Sequence, residues 1–327
     1  MIITQTPFRV SFFGGGTDYP EYFETHGGAV LGTTINKYAY FSMSKFHSSL
    51  FDYNLRIAYR QIECVENVDA IEHRPFRECL KRRGIAKDVE IVYCAEMPSF
   101  SGLGTSSTFV VGLLNTLSAY KYALQNPLEL AYEAIDIERN VLKDSVGCQD
   151  QIFAAVGGFN VIEFKSLRDI SVNKILMRPD RMKEFEDCLF LAFTRIFRMS
   201  MKIAKRQISK IDSNADKLRV IHKMVYDGYN ILTGNSGFEE FGILLDKMWK
   251  IKSELDESIC THEIASLYKK GIDSGALGGK LLGAGGGGFI LFFVPPKNHK
   301  SFKEKMSAHE IIPIKINADG SKVIHMS

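Results

Sequence analysis

Apolar and polar positions alternate through Phe8-Arg9-Val10-Ser11-Phe12, and 2–13 reads as a strand. A glycine run, 14–16, interrupts it before Thr17-Asp18-Tyr19-Pro20 opens a short helix. Strand-like runs follow at 29–46 and 54–62, then a polar helical stretch near 72–83 and a strand at 89–94. From 105 the period becomes helical: Phe109, Leu113 and Leu117, with Val110 and Leu114, make a broad apolar face over 105–124. Asn126-Pro127 separates this from a second helical pattern, 128–142, with proline placed for a first turn. An apolar segment, 149–156, ends at Gly157-Gly158, and 159–164 reads as a strand.

Residues 165–187 are dense in charge and contain Arg178-Pro179-Asp180, so a domain seam is expected there, dividing the chain into 1–175 and 176–327. Beyond it lie a strand at 188–194 and helical patterns near 198–211, 214–232, 237–257 and 262–273. Two strands, 278–282 and 289–294, flank a glycine-rich turn, a helix is expected at 297–309, and 311–316 and 322–326 read as closing strands. Segregated strands and helices joined by hairpins indicate an α+β fold.

Composition narrows the function. The 327 residues are 45% apolar, enough for sizeable cores, and a net charge of +3 is too balanced for a general nucleic-acid binder. The six cysteines are scattered without metal-ligand spacing and read as reduced core thiols. No signal-peptide pattern and no apolar run of about 18 residues is present, so a cytoplasmic protein without membrane contact is expected.

The most informative stretch is 96–110, where a Gly/Ser/Thr-rich loop runs into the start of the 105–124 helix. A helix N-terminus has free N–H groups and the positive end of the macrodipole, and suits an anion. Gly102 and Gly104 let backbone approach a phosphate, and Thr105, Ser106 and Ser107 add hydroxyls. No Lys-Ser or Lys-Thr closes the loop, so it is not a Walker A sequence. Gly283-x-Gly285-x-x-Gly288 fits the dinucleotide pattern in spacing only: a strand follows it where that fold needs a helix, which excludes an NAD role.

Three segments together resemble the GHMP kinases. Pro98-x-x-x-Gly102-Leu103-Gly104-x-Ser106-Ser107 resembles their ATP loop, and Pro7-Phe-Arg9 through Gly14-Gly15-Gly16-Thr17-Asp18-Tyr19 their substrate motif. Lys280-Leu-Leu-Gly283-Ala-Gly285-Gly286-Gly287-Gly288 resembles their third motif, and the order is the family's. The resemblance implies a ribosomal-S5-like N-terminal domain, a ferredoxin-like C-terminal domain and a site between them. It implies ATP contacts from Pro98, Ser99, Ser101, Gly102, Leu103, Gly104, Thr105, Ser106 and Ser107, and acceptor contacts from Gly14 to Asp18 and from Gly285, Gly286 and Gly287.

Two acids carry the expected chemistry. Glu138 has Ala134, Ile135, Val141 and Leu142 at its i±3 and i±4 positions, which puts its carboxylate on a buried stripe needing a cation, a metal or a proton. A salt bridge would serve equally; by resemblance Glu138 is the magnesium ligand and Ser106 supplies the opposing one. Asp150, in Gly147-Cys148-Gln149-Asp150-Gln151, resembles the family's general base, with Arg9 as the cation beside it.

Galactokinases carry an acid and a histidine where this chain has Gly15 and Gly16. The glycine form resembles instead kinases of D-glycero-D-manno-heptose 7-phosphate and fucokinase domains, which phosphorylate the anomeric hydroxyl. The expected partner is therefore a small sugar or sugar phosphate, with an unphosphorylated-sugar kinase or a non-catalytic sugar and nucleotide sensor as the alternatives. Asp18 would hold sugar hydroxyls, or else cap the following helix. Arg195 and Arg198, at the head of a cationic cluster continuing through Lys202, Lys205 and Arg206, are the candidates for a distal phosphate.

Overall fold

The computed structural model describes residues 1–197 and 200–327. Strand β1 (Ile2–Phe13) alternates buried and half-buried positions for four residues and is then buried throughout, because elements cover both of its faces. After the glycine break come α1 (Pro20–His26) and the long β2 (Gly28–Lys45), antiparallel to β1. The run at 54–62 is a hairpin rather than one strand: β3 (Leu55–Ala58) and β4 (Ile62–Val65) pair across a turn at Tyr59–Gln61. Next are α2 (Arg74–Arg82), β5 (Val89–Ala95), α3 (Thr105–Tyr120) and α4 (Pro127–Asp136). Asn126 caps α4 by accepting from the Glu129 N–H at 2.9 Å. The helix then widens into a π turn, Ile137–Val141, before α5 (Gln149–Val156) and β6 (Phe159–Ser166).

The charged seam is ordered structure. It contains β7 (Asp169–Lys174) and α6 (Pro179–Asp187), whose exposed outer faces account for the charge. The second half runs β8 (Leu189–Phe193), α7 (Ser200–Ser209), α8 (Ala215–Thr233), α9 (Glu239–Ser253) and α10 (His262–Asp273). It ends with β9 (Gly278–Leu281), β10 (Phe289–Phe293), α11 (His299–Lys305), β11 (Ile311–Pro313) and β12 (Lys322–Met326).

The strands form an eight-stranded sheet, β12-β1-β2-β5-β3-β4 with β6 branching from β2 and β7 pairing with β6, and a four-stranded antiparallel sheet, β11-β8-β10-β9. The branch exists because β2 is long: residues 28–33 pair with β6 and residues 39–45 with β5. Strand β12 crosses back from the second half to cover the edge of β1, so the first sheet draws on both ends of the chain. Phe12 ties the halves together, packing edge-on against Phe241 (5.3 Å between centroids) and Phe185 (5.7 Å) beneath the cleft between them. Cys79, Cys148 and Cys188 are buried thiols; Cys64 and Cys94, expected in the core, are exposed. Among the described residues no helix is long and apolar enough to cross a membrane.

Candidate active site

The loop after β5 reaches α3 through three left-handed residues, Phe100, Gly102 and Gly104. At Gly102 a Cβ would stand 2.5 Å from the Leu282 carbonyl oxygen, and at Gly283 it would stand 2.8 Å from Gly102 Cα. Only glycine at both positions lets the loop lie directly on the glycine-rich turn between β9 and β10. Ser101 extends this contact: its carbonyl accepts from the Phe289 N–H at 3.0 Å. Ser99, Gly102, Gly104, Thr105, Ser106 and Ser107 line a cleft of about 380 Å³ between the two halves. Pro98 is exposed and outside that lining, and Ser101 and Leu103 are buried behind it; Leu103 accepts the Arg9 N–H through its carbonyl.

Glu138, in the π turn, is fully buried and faces the start of α3. Its carboxylate accepts from Ser106 Oγ at 3.0 Å, Ser107 Oγ at 2.7 Å and Gln151 Nε2 at 2.5 Å. All three donors are neutral, and among the described residues no ammonium or guanidinium pairs with it, so the salt-bridge alternative is not realised. Burial pushes its pKa up to about 7, with the hydroxyl and amide donors only partly offsetting the desolvation. One buried carboxylate with a hydroxyl beside it at a phosphate loop suits magnesium, which takes few protein ligands and completes its shell with phosphate oxygens and water.

Across the loop, Arg9 on β1 makes a bidentate pair with Asp150 at the start of α5: Nε to Oδ1 and Nη2 to Oδ2, both 2.7 Å. Its Nη1 donates to the Gly102 carbonyl at 2.6 Å, tying the pair to the loop before α3. Arg9 is buried and Asp150 remains partly open to the cleft. Asp18 is buried too; it accepts from Gly16 N–H (3.0 Å) and Gln149 Nε2 (2.9 Å), and burial raises its pKa. It does not cap α1, whose N-cap is Tyr19. Gly15, Gly16 and Asp18 line the cleft. Gly14 and Thr17 instead shape the turn: Thr17 Oγ1 donates to the Gly14 and Ala29 carbonyls at 2.8 and 2.9 Å.

Some expected contacts lie elsewhere. Gly285, Gly286 and Gly287 turn away from the cleft, the first two against Ile259 and the third against Ile196, and Gly283 and Ala284 line it in their place. Arg195 is exposed and outside the cleft, in a left-handed residue where the chain turns off β8. Arg198 lies outside the described residues. On α7, Lys202 and Lys205 are exposed and Arg206 pairs with Asp256 and Glu257, while Ala204 and Gln207 face the cleft.

Other cleft residues were not anticipated. Tyr59, His73, Pro75, Tyr93, Phe100 and Phe109 wall its outer end, with His73 and Phe109 rings 5.0 Å apart and Tyr93 and Phe109 4.8 Å apart. Burial lowers the His73 pKa and favours the neutral ring, and the wall suits a flat heteroaromatic base. Lys252 and Lys280 are buried at the inner end, donating to the Gly283 carbonyl (2.6 Å) and the Phe12 carbonyl (3.1 Å). A signal for Lys252 was present, since it continues the stripe Phe241, Leu245, Met248 and Trp249 on α9.

A Gly/Ser/Thr-rich loop on a helix start and an Arg–Asp pair facing one cleft, with a buried acid behind the loop, are the parts phosphoryl transfer calls for. Residues 70–158 match the GHMP kinases N terminal domain and residues 232–311 the GHMP kinases C terminal domain. A D-glycero-alpha-D-manno-heptose 7-phosphate kinase from Campylobacter jejuni is 32% identical over 309 residues, 90% of each chain. A bifunctional L-fucokinase/L-fucose-1-P guanylyltransferase from Bacteroides fragilis is 25% identical over 88% of this chain and 34% of its own length. In structure, a D-glycero-D-manno-heptose 1-phosphate kinase from Bacteroides thetaiotaomicron superposes with a TM-score of 0.82 at 25% identity, covering all of both chains. The chain belongs to the GHMP kinase family and is an ATP-dependent kinase.

Proposed function

We propose that this kinase phosphorylates the anomeric hydroxyl of a sugar, with D-glycero-D-manno-heptose 7-phosphate as acceptor and the 1,7-bisphosphate as product. The observation that carries the reading is the Arg9–Asp150 pair, set between the phosphate loop and the glycine form of the substrate motif. The heptose kinase relatives support the choice of sugar.

In this reading ATP lies with its base against the aromatic wall and its phosphates at the start of α3. Ser106 and Glu138 would hold magnesium, which would supply charge neutralisation at the phosphates. Asp150 takes the proton of the acceptor hydroxyl as that oxygen bonds to the γ-phosphorus, and the bond to the β-phosphate oxygen breaks to release ADP. Arg9 holds the Asp150 carboxylate in one orientation through two parallel hydrogen bonds. Arg198 is proposed for the distal phosphate from its place in the sequence.

Coupled ADP release with heptose 7-phosphate, free heptose, fucose and hexoses tests the reading. The phosphorylated heptose should give the highest kcat/KM. The fucokinase relatives favour a free sugar as the alternative, and preference for one would replace the heptose phosphate reading.

A further inference from the structure

Gly15 has no side chain, and the space its Cβ would enter is ringed by polar atoms from three elements. Lys252 Nζ lies 3.8 Å from that position, and Gln149 Nε2 and Ser11 Oγ each lie 4.0 Å from it. All three residues are more than nine-tenths buried: Ser11 and Lys252 are 4% exposed and Gln149 is 8%. Part of their hydrogen-bonding capacity is unspent, although Gln149 Nε2 already donates to Asp18. Ser11 Oγ and Gln149 Oε1 have no partner, and Lys252 uses one of its three N–H donors, on the Gly283 carbonyl.

Buried polar groups left open at a cleft wall point to a ligand that completes them. The unspent set is mixed: ammonium N–H donors, a hydroxyl that can do either, and an amide oxygen that only accepts. A phosphate would satisfy the lysine but oppose the amide oxygen, whereas hydroxyl groups both donate and accept. We propose that Ser11, Gln149 and Lys252 form a hydroxyl-recognition cradle for the acceptor sugar, with Lys252 as its specificity-determining residue and Gly15 kept bare to make room. The proposal rests on the sugar-kinase reading above and assigns its acceptor contacts. The lysine reaches across from α9 into the place where the substrate motif itself offers no side chain.

The charge on Lys252 supports the assignment. Burial lowers its pKa to about 8; Arg9 on β1 lowers it further, while Asp18 and Asp150 raise it. Lys280 on β9 is the other ammonium facing it. Acceptor binding should therefore weaken as pH rises through about 8, while the nucleotide, held by the loop and α3, follows no such trend.

Two substitutions test the cradle. Lys252→Met keeps length and apolar volume, and the Gly15→Ala methyl meets only ordinary contacts of 3.8 Å or more, so the fold tolerates it. Each should raise the acceptor KM by about ten- to a hundredfold, Lys252→Met by the loss of one charge-assisted contact and Gly15→Ala by filling the space a sugar hydroxyl would enter. Affinity for ADP by calorimetry should stay within twofold, and Lys252→Arg should shift the alkaline limb of acceptor KM upward. Free and phosphorylated acceptors should suffer alike, since the cradle reads hydroxyls. Acceptor KM within twofold of wild type in both variants overturns the cradle, as does an equal loss of ADP affinity. Wild-type preference for a free sugar removes only the heptose phosphate reading, and the cradle is then tested on that sugar; turnover of no sugar overturns both.

Discussion

Gly102 and Gly283 are in backbone contact, which makes the loop before α3 and the glycine-rich turn one continuous wall of the cleft. Both residues are left-handed, at φ +79° and +71°. Alanine at either costs about 1–2 kcal/mol from the backbone alone, and its methyl would push the loops apart. Each variant should lose at least about tenfold in ATP affinity by calorimetry, a shift of about 1.4 kcal/mol. Gly84→Ala is the control: its φ is +60° with nothing within 4 Å, so it should lose stability without losing nucleotide affinity.

Glu138 gives a pH signature independent of turnover. Its folded pKa, about 7, lies above the ordinary 4.5, so the fold favours the protonated acid. Stability from this group is complete below pH 4.5 and is lost as pH rises through 7, by about 3 kcal/mol in total. Thermal melts without metal should show that loss, and Glu138→Gln should flatten it. Added magnesium with ATP should restore stability to wild type above pH 7 but not to the variant. Ser106→Ala should raise the magnesium concentration needed for half-maximal turnover, and an unchanged requirement in both variants would remove the metal assignment.

Asp150→Asn should lower turnover by about 10²–10⁴-fold, the range for losing an acid–base group. ATP affinity should survive, because Asp150 is proposed to act on the acceptor. The variant leaves Arg9 buried without its charge partner, so stability should fall as well. Measuring ATP affinity and melting alongside turnover separates lost chemistry from lost structure.

What the sequence disclosed follows from how local each signal is. Glu138 was legible because one helix carries both the acid and its apolar neighbours. Lys252 obeys the same logic on α9, but a lysine near a helix end ordinarily extends its amine to water, so its place on the stripe was passed over. The aromatic wall draws Tyr59, His73, Tyr93 and Phe109 from four separate segments, and no spacing links them. Strand β7 and helix α6 were hidden by their exposed charges, which resemble those of a linker. The three glycine motifs were plain, yet only the fold shows that Gly283 and Ala284 meet the cleft while Gly285 to Gly287 buttress Ile259 and Ile196.

The two arginines nominated for the distal phosphate should now behave differently. Arg195 is exposed, outside the cleft, and close enough to His309 to add to the lowering of that imidazole's pKa by burial and by Lys270. Arg195→Ala should therefore leave every acceptor KM within about twofold, as expected for a solvated charge. Arg198 follows it by three residues and precedes α7, whose Ala204 and Gln207 line the cleft. If it binds the phosphate, Arg198→Ala removes one charge-assisted contact worth about 1.5–3 kcal/mol, and the KM for a 7-phosphorylated heptose rises ten- to a hundredfold. The free heptose and ATP should be nearly unaffected, which distinguishes this effect from that of Lys252→Met, where both sugars lose alike. Equal, small responses of the two acceptors to Arg198→Ala would leave no cation on this junction for the phosphate and would favour an unphosphorylated sugar.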